Sequence, residues 1–198
     1  LPPAEKQALA KTLAAAAKPN SVAPDATPRK FVRKWTTDAL LPAFANPLTN
    51  RDFAKGRELF AAASCFKCHR FRGQGGIVGP DLTTAGRRFN SKDMLDSMTT
   101  PSSTVSDQYQ ASMFVLDNGK TVIGRVANLG GQNIMVMTNM LEPGKFTAVR
   151  RDTIEEIIAS KTSMMPEGLL NTLTKQDILD LIAYIRSGGN PNHAVYMK

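Results

Sequence analysis

Apolar residues recur at helical spacing in two well-separated stretches. Phe53, Gly56, Leu59, Phe60 and Ala63 fall on one face of a helix beginning near Arg51. Ile178, Leu181, Ile182 and Ile185 do the same after Thr174-Lys175-Gln176-Asp177, a helix-start signal, and Gly188-Gly189 ends that segment. A glycine inside a helix costs stability, so Gly56 predicts a close packing contact. Shorter helices are expected after Thr36-Thr37-Asp38 and after Asn90 or Ser91, the latter carrying Met94, Leu95 and Met98 up to Pro101. At the amino end, Ala4 to Lys18 is rich in good helix formers, and residues 21–28, with two prolines, read as a linker.

Between the two main helical stretches the period changes. Tyr109, Ala111, Met113 and Val115 alternate with other residues, and Asp117-Asn118-Gly119-Lys120 is a hairpin signal. Thr121 to Asn128 is a second strand and Asn133 to Met140 a third. Glu142-Pro143-Gly144-Lys145 turns into Phe146 to Arg150, and strand content ends near Ile157-Ile158. Short strands at this spacing predict a small antiparallel barrel or sandwich.

The chain has 198 residues, enough for one large or two small cores, and no apolar run approaches a membrane span. It starts at Leu1, which leads us to expect a processed product or a fragment. The formal charge is +8. One basic cluster, Arg29, Lys30, Arg33 and Lys34, has no nucleic-acid motif beside it, so no nucleic-acid partner is expected. Trp35, the only tryptophan, is expected to pack on the main body of the protein.

The candidate chemistry sits just after the first main helix. Cys65-Phe66-Lys67-Cys68-His69 has the spacing of a covalent attachment site for one haem c, through Cys65 and Cys68, with His69 on the iron. A zinc site would need more Cys or His than these and His193, a thioredoxin-like pair would want a βαβ context, and a plain disulfide is the simplest rival. The opposite iron position has several candidates among nine methionines. Met94 with Met98, and Met135 with Met137, have core spacing. Met165 is followed by Pro166, which stiffens a loop just before the last helix. Met165 is therefore favoured over Met164, and both over His193, which reads as an exposed tail residue; Met197 reads as part of a frayed end.

Gly56-x-x-x-Phe60, the Cys65 to His69 motif, Gly79-Pro80-Asp81-Leu82, Met165-Pro166 and Leu181-Ile182-Ala183-Tyr184 together resemble class I cytochromes c. Pro101-Ser102-Ser103, Asp107-Gln108-Tyr109, Asp117-x-Gly119, Gly124, Met165 to Leu169 and Gly188 to His193 resemble the planctomycete-type haem-binding subgroup, over roughly Phe31 to His193. The resemblance implies that the first and last helices cross near Gly56 and Tyr184. It also implies that the Pro80 carbonyl holds the Nδ1–H of His69, a bond that orients the ring and raises its donor strength. It implies that such a domain often ends a larger protein carrying a dehydrogenase-like or propeller domain. The expected class is mainly α: a class I cytochrome c fold with an inserted small antiparallel β domain and an N-terminal helical extension. The expected divisions are an extension and linker (1–50), a first cytochrome part (51–108), a β insertion (109–157), a second part with the axial Met loop and last helix (158–189), and a tail (190–198).

Further pocket candidates are Phe60, Ile77, Leu82, Phe89 and Leu95, with Arg87 or Arg88 against a haem propionate. The expected function is outer-sphere electron transfer, not enzymatic catalysis, with metal ligands His69 and Met165. The basic surface predicts a redox partner with an acidic docking face, and haem attachment predicts a periplasmic or otherwise extracytoplasmic setting. The rival readings are a haem enzyme or gas sensor with an open sixth position, and a docking module built on the β insertion.

Overall fold

The computed structural model describes Glu5 and residues 29–197. Apart from Glu5, the helix expected over Ala4 to Lys18 lies outside the described residues, as does the linker at 21–28. The helices are α1 (Thr37–Leu40), α2 (Phe53–Ala62), α3 (Cys65–Cys68), α4 (Ala85–Arg88), α5 (Ser91–Thr99) and α6 (Lys175–Arg186). Their starts follow the cap chemistry. The Thr36 side chain accepts from Ala39 N–H, the Asp52 side chain from Lys55 N–H. Asn90 with Asp93, and Thr174 with Asp177, form reciprocal capping boxes.

The helical core forms where α2 crosses α6. Leu59, Phe60, Ile178, Leu181 and Ile182 are buried there, each such side chain contributing about 1.5–3 kcal/mol on full burial. Gly56 sits at the crossing. A Cβ built on it would lie 2.5 Å from the Asp180 carbonyl oxygen and 2.7 Å from Tyr184 Cβ. Tyr184 in turn meets the rings of Phe53, Phe60 and Phe71 at 5.4, 5.8 and 5.0 Å. Trp35 is buried against the same core and its Nε1–H donates to the Leu173 carbonyl at 2.9 Å. Two members of the basic cluster are used internally: Arg29 pairs with Asp177 at 2.9 Å, and the Arg33 guanidinium lies over Trp35.

The tail is not frayed at Met197. Arg51 N–H donates to the Val195 carbonyl and Asn50 N–H to that of Met197, both at 3.1 Å. Val195 is buried, and the Tyr196 hydroxyl lies 2.9 Å from Ser187 Oγ. The tail's apolar Val195 and Tyr196 anchor it beside Phe53, a tertiary contact that three tail residues cannot reveal in sequence.

The expectation of a mainly α class is overturned. Helix makes up 34% and strand 19%, with one five-stranded antiparallel sheet. Its strands are β3 (Ser112–Leu116), β4 (Thr121–Asn128), β5 (Asn133–Met137), β6 (Thr147–Arg150) and β7 (Ile154–Ala159), after a short hairpin β1 (Arg70–Phe71) and β2 (Gln74–Gly75). The sheet has a core of its own in Phe114, Ile134, Val136 and Val149, so it is a second structural body, not an appendage to the helices. Outside α2 and α6 the helices are mostly single turns, which lowers the helical share further.

The strand order is β6-β5-β4-β3-β7. The two edge strands are joined by only Arg151–Thr153, a 3₁₀ turn. Edges of a flat five-stranded sheet would lie about 19 Å apart, at about 4.8 Å per step, whereas three 3₁₀ residues rise only about 6 Å. The sheet must curl until its edges approach, which gives a barrel-like form. Register shifts at Val115/Leu116 and Val126/Asn128 supply the bending, and Gly124 admits the β5 backbone, whose Met137 carbonyl would lie 2.3 Å from a Cβ there.

Gly56→Ala is expected to lower stability by about 1–3 kcal/mol, since backbone and a buried Cβ must move to admit the methyl. Urea unfolding checks this: the midpoint should fall with an unchanged slope. A midpoint at or above wild type would contradict the close crossing.

Candidate functional site

The attachment motif folds as one helical turn. Ser64, in a left-handed conformation at φ 60°, breaks the chain away from α2, and α3 follows at once. His69 N–H donates to the Cys65 carbonyl at 2.9 Å and closes the turn. Both thiols are unbridged. Burial pushes the Cys65 thiol up to about 12 and raises that of Cys68, so both are held as neutral SH groups.

The segment after the motif wraps back beneath it. β1 and β2 are joined by Arg72 and Gly73, both at positive φ, the geometry of a two-residue hairpin turn. An arginine in this conformation is unfavourable, which is why the stretch reads as plain loop in sequence. It is held there by bonds from its N–H to Thr83 Oγ1 and from its guanidinium to the Gly188 and Gly189 carbonyls. Gly76, Gly79 and Leu82 then donate to the Phe66, Cys68 and Arg70 carbonyls at 2.8, 2.8 and 2.9 Å.

This wrapping sets the His69 ring. Its Nδ1 lies 2.8 Å from the Pro80 carbonyl oxygen. A carbonyl can only accept, so Nδ1 carries the proton and Nε2 keeps the lone pair that binds a metal. Burial lowers the His69 pKa, opposed by the Pro80 bond, which favours the neutral ring. A Cβ on Gly79 would lie 2.8 Å from ring atoms Cε1 and Nδ1, so the backbone there touches the imidazole edge.

Cys65, Cys68 and His69 open onto a mostly apolar cavity of about 290 Å³. Pro80, Leu82, Phe89 and Met165 of the sequence-expected site line it. Phe60 and Leu95 do not; they are fully buried in the helical core. Ile77 is 74% exposed, Arg87 and Arg88 are exposed, and none of the three borders the cavity. Met94, Met98 and Met164 join Met165 in the lining. His193 caps the last turn, its Nδ1 accepting from Val195 N–H at 3.2 Å.

Sequence reasoning missed the wall supplied by the sheet. Arg125 of β4 and Met140 and Leu141 beyond β5 line the cavity with Tyr109, and the Met140 carbonyl lies 3.3 Å from Cys68 Sγ. Tyr109 belongs to the recognised pattern but signalled no role in the site. No local signal ties Arg125 to the haem motif, because the contact depends on how the sheet is docked.

These residues fit haem c. Two neutral thiols one helical turn apart, a histidine with its free nitrogen defined, and an apolar cavity beside both meet its needs. Among the described residues, no group of three or more His, Cys, Asp or Glu side chains is placed to hold a bare metal ion. No helix there is long and apolar enough to cross a membrane. Replacing both Cys65 and Cys68 with Ser is expected to reduce covalently bound haem to background, with haem staining after denaturing electrophoresis as the readout; staining retained by the double variant would rule out this attachment.

No curated protein matches the chain. Residues 53–114 match the family model described as cytochrome c. The match starts with α2, contains the whole Cys65 to His69 turn and the loop that holds its imidazole, and runs into β3. The chain therefore carries a cytochrome c domain that binds haem c through its cysteines and serves electron transfer.

Proposed function

We propose that His69 and Met165 hold the iron of this haem from opposite sides, in a closed site that passes single electrons between protein partners. The observation that carries this reading is the convergence of two distant loops on one apolar cavity. One presents His69 under the restraint of Pro80. The other presents Met165, whose N–H donates to Ser163 Oγ at 3.1 Å, while Ser163 N–H donates to Ser102 Oγ at 3.1 Å. Met165 also packs against the helical core, and Met164 is not among the residues that do.

Bound haem c supplies a one-electron couple. The chain's part is to bind, orient and keep water away. Filled axial positions leave substrate no easy access, and a thioether ligand with apolar surroundings favours the reduced state. The positive charge suits a redox partner with an acidic face. The motifs shared with the planctomycete-type subgroup support a place beside a dehydrogenase-like or propeller domain, in an extracytoplasmic setting where haem c is attached. The segment 109–157, which holds all of the sheet but the end of β7, reads as an insertion between the two halves of the haem domain.

Met165→Ala should abolish the Met–iron charge-transfer absorption of the ferric protein and accelerate cyanide binding at least tenfold. Met164→Ala should leave both unchanged. The reverse pattern would transfer the ligand role to Met164, and rapid cyanide binding by wild type would contradict a closed site.

A further inference from the structure

Among the residues lining the haem cavity, Arg125 is the one side chain of the Asp, Glu, Lys and Arg set. It comes from β4, outside the segment that matches the cytochrome c family. Its Nη1 donates to the Val78 carbonyl, in the loop that leads to Gly79 and Pro80. Its guanidinium lies 5.4 Å from the Tyr109 ring centroid, over the ring face. Among the described residues, no carboxylate forms an ion pair with it. A charge facing an apolar cavity is costly without a counter-charge, and a carbonyl plus a ring offsets only part of that cost.

Haem c carries two carboxylates. A guanidinium presents five donors in a planar fork that matches a carboxylate and cannot be deprotonated in a protein. We propose that the curled sheet forms the carboxylate-binding wall of the haem site, with Arg125 as the positioning residue that pairs with a haem propionate. The sheet thereby tunes the couple: a fixed positive charge beside the haem favours the reduced state. One guanidinium also ties the 76–82 loop, the propionate edge and the sheet together, so sheet docking and His69 orientation are coupled. Arg87 and Arg88, the arginines that the sequence suggested for this task, lie off the cavity.

This inference rests on the haem reading, and the two fail differently. If the purified wild-type protein shows no covalent haem spectrum, the haem reading falls. With haem present, Arg125→Gln should shift the reduced-to-oxidised ratio at fixed ambient potential at least tenfold toward oxidised, equivalent to 59 mV for one electron. Arg125→Lys should retain most of the wild-type potential, and Arg88→Gln should not move it. Equal potentials for Arg125→Gln and Arg88→Gln would overturn the proposal. So would an Arg125→Lys potential as low as that of Arg125→Gln, since packing rather than charge would then be responsible. Should Arg125→Gln fail to yield holoprotein, resonance Raman spectra of Arg125→Lys decide: the propionate bending band must move from its wild-type position, and an unmoved band overturns the pairing.

Discussion

The close crossing of α2 over α6 is the constraint on which the rest depends. Gly56 lets the Asp180 carbonyl and Tyr184 Cβ approach to distances that no side chain would allow. That contact joins residues more than a hundred positions apart, and two sides of the cavity follow from it. The attachment turn begins directly after α2, and the Met165 loop lies shortly before α6. A second glycine repeats the device. Gly86 in α4 would place a Cβ 2.3 Å from the Arg186 carbonyl, so the far end of α6 is also met by bare backbone.

Around that crossing the site is built by wrapping. Three backbone bonds draw residues 76–82 under the attachment turn, and the glycines among them leave no room for side chains. The Pro80 carbonyl then determines which imidazole nitrogen is free. Pro80 acts through its carbonyl, so what matters is the position of the backbone, and that position is a product of the wrapping. The partly buried thiols follow the same logic: neutral sulfur is tolerated in an apolar wall where thiolate would not be.

The sheet changes what the domain is. Strands that follow an attachment motif in sequence could have formed a remote lobe. Here the three-residue link between β6 and β7 forces the sheet to curl, and the curled body lies against the cavity through Arg125, Met140 and Leu141. It is a wall of the site with its own core, which is why a mainly α description does not hold. The helical core and the sheet core are separate clusters; the first borders the cavity through Ala85, Met94, Met98 and Ile185, whereas the core residues of the sheet lie away from it.

Local chemistry by itself determined a good deal. The caps at Thr36, Asn90 and Thr174, the Asn118-Gly119 hairpin, the β4 span from Thr121 to Asn128, the Cys65 to His69 turn and the need for tight packing at Gly56 all rest on interactions within a few residues, or on a missing Cβ. Those signals are printed in the sequence. Tertiary structure decided the rest: that Ile77 faces solvent while Phe60 serves the core, that Arg72 adopts a left-handed turn, that the tail docks through Val195 and Tyr196, and that Arg125 borders the haem cavity. Each of these depends on which surfaces meet. Meeting is governed by apolar area and backbone closure summed over distant segments, and no local residue pattern carries that sum.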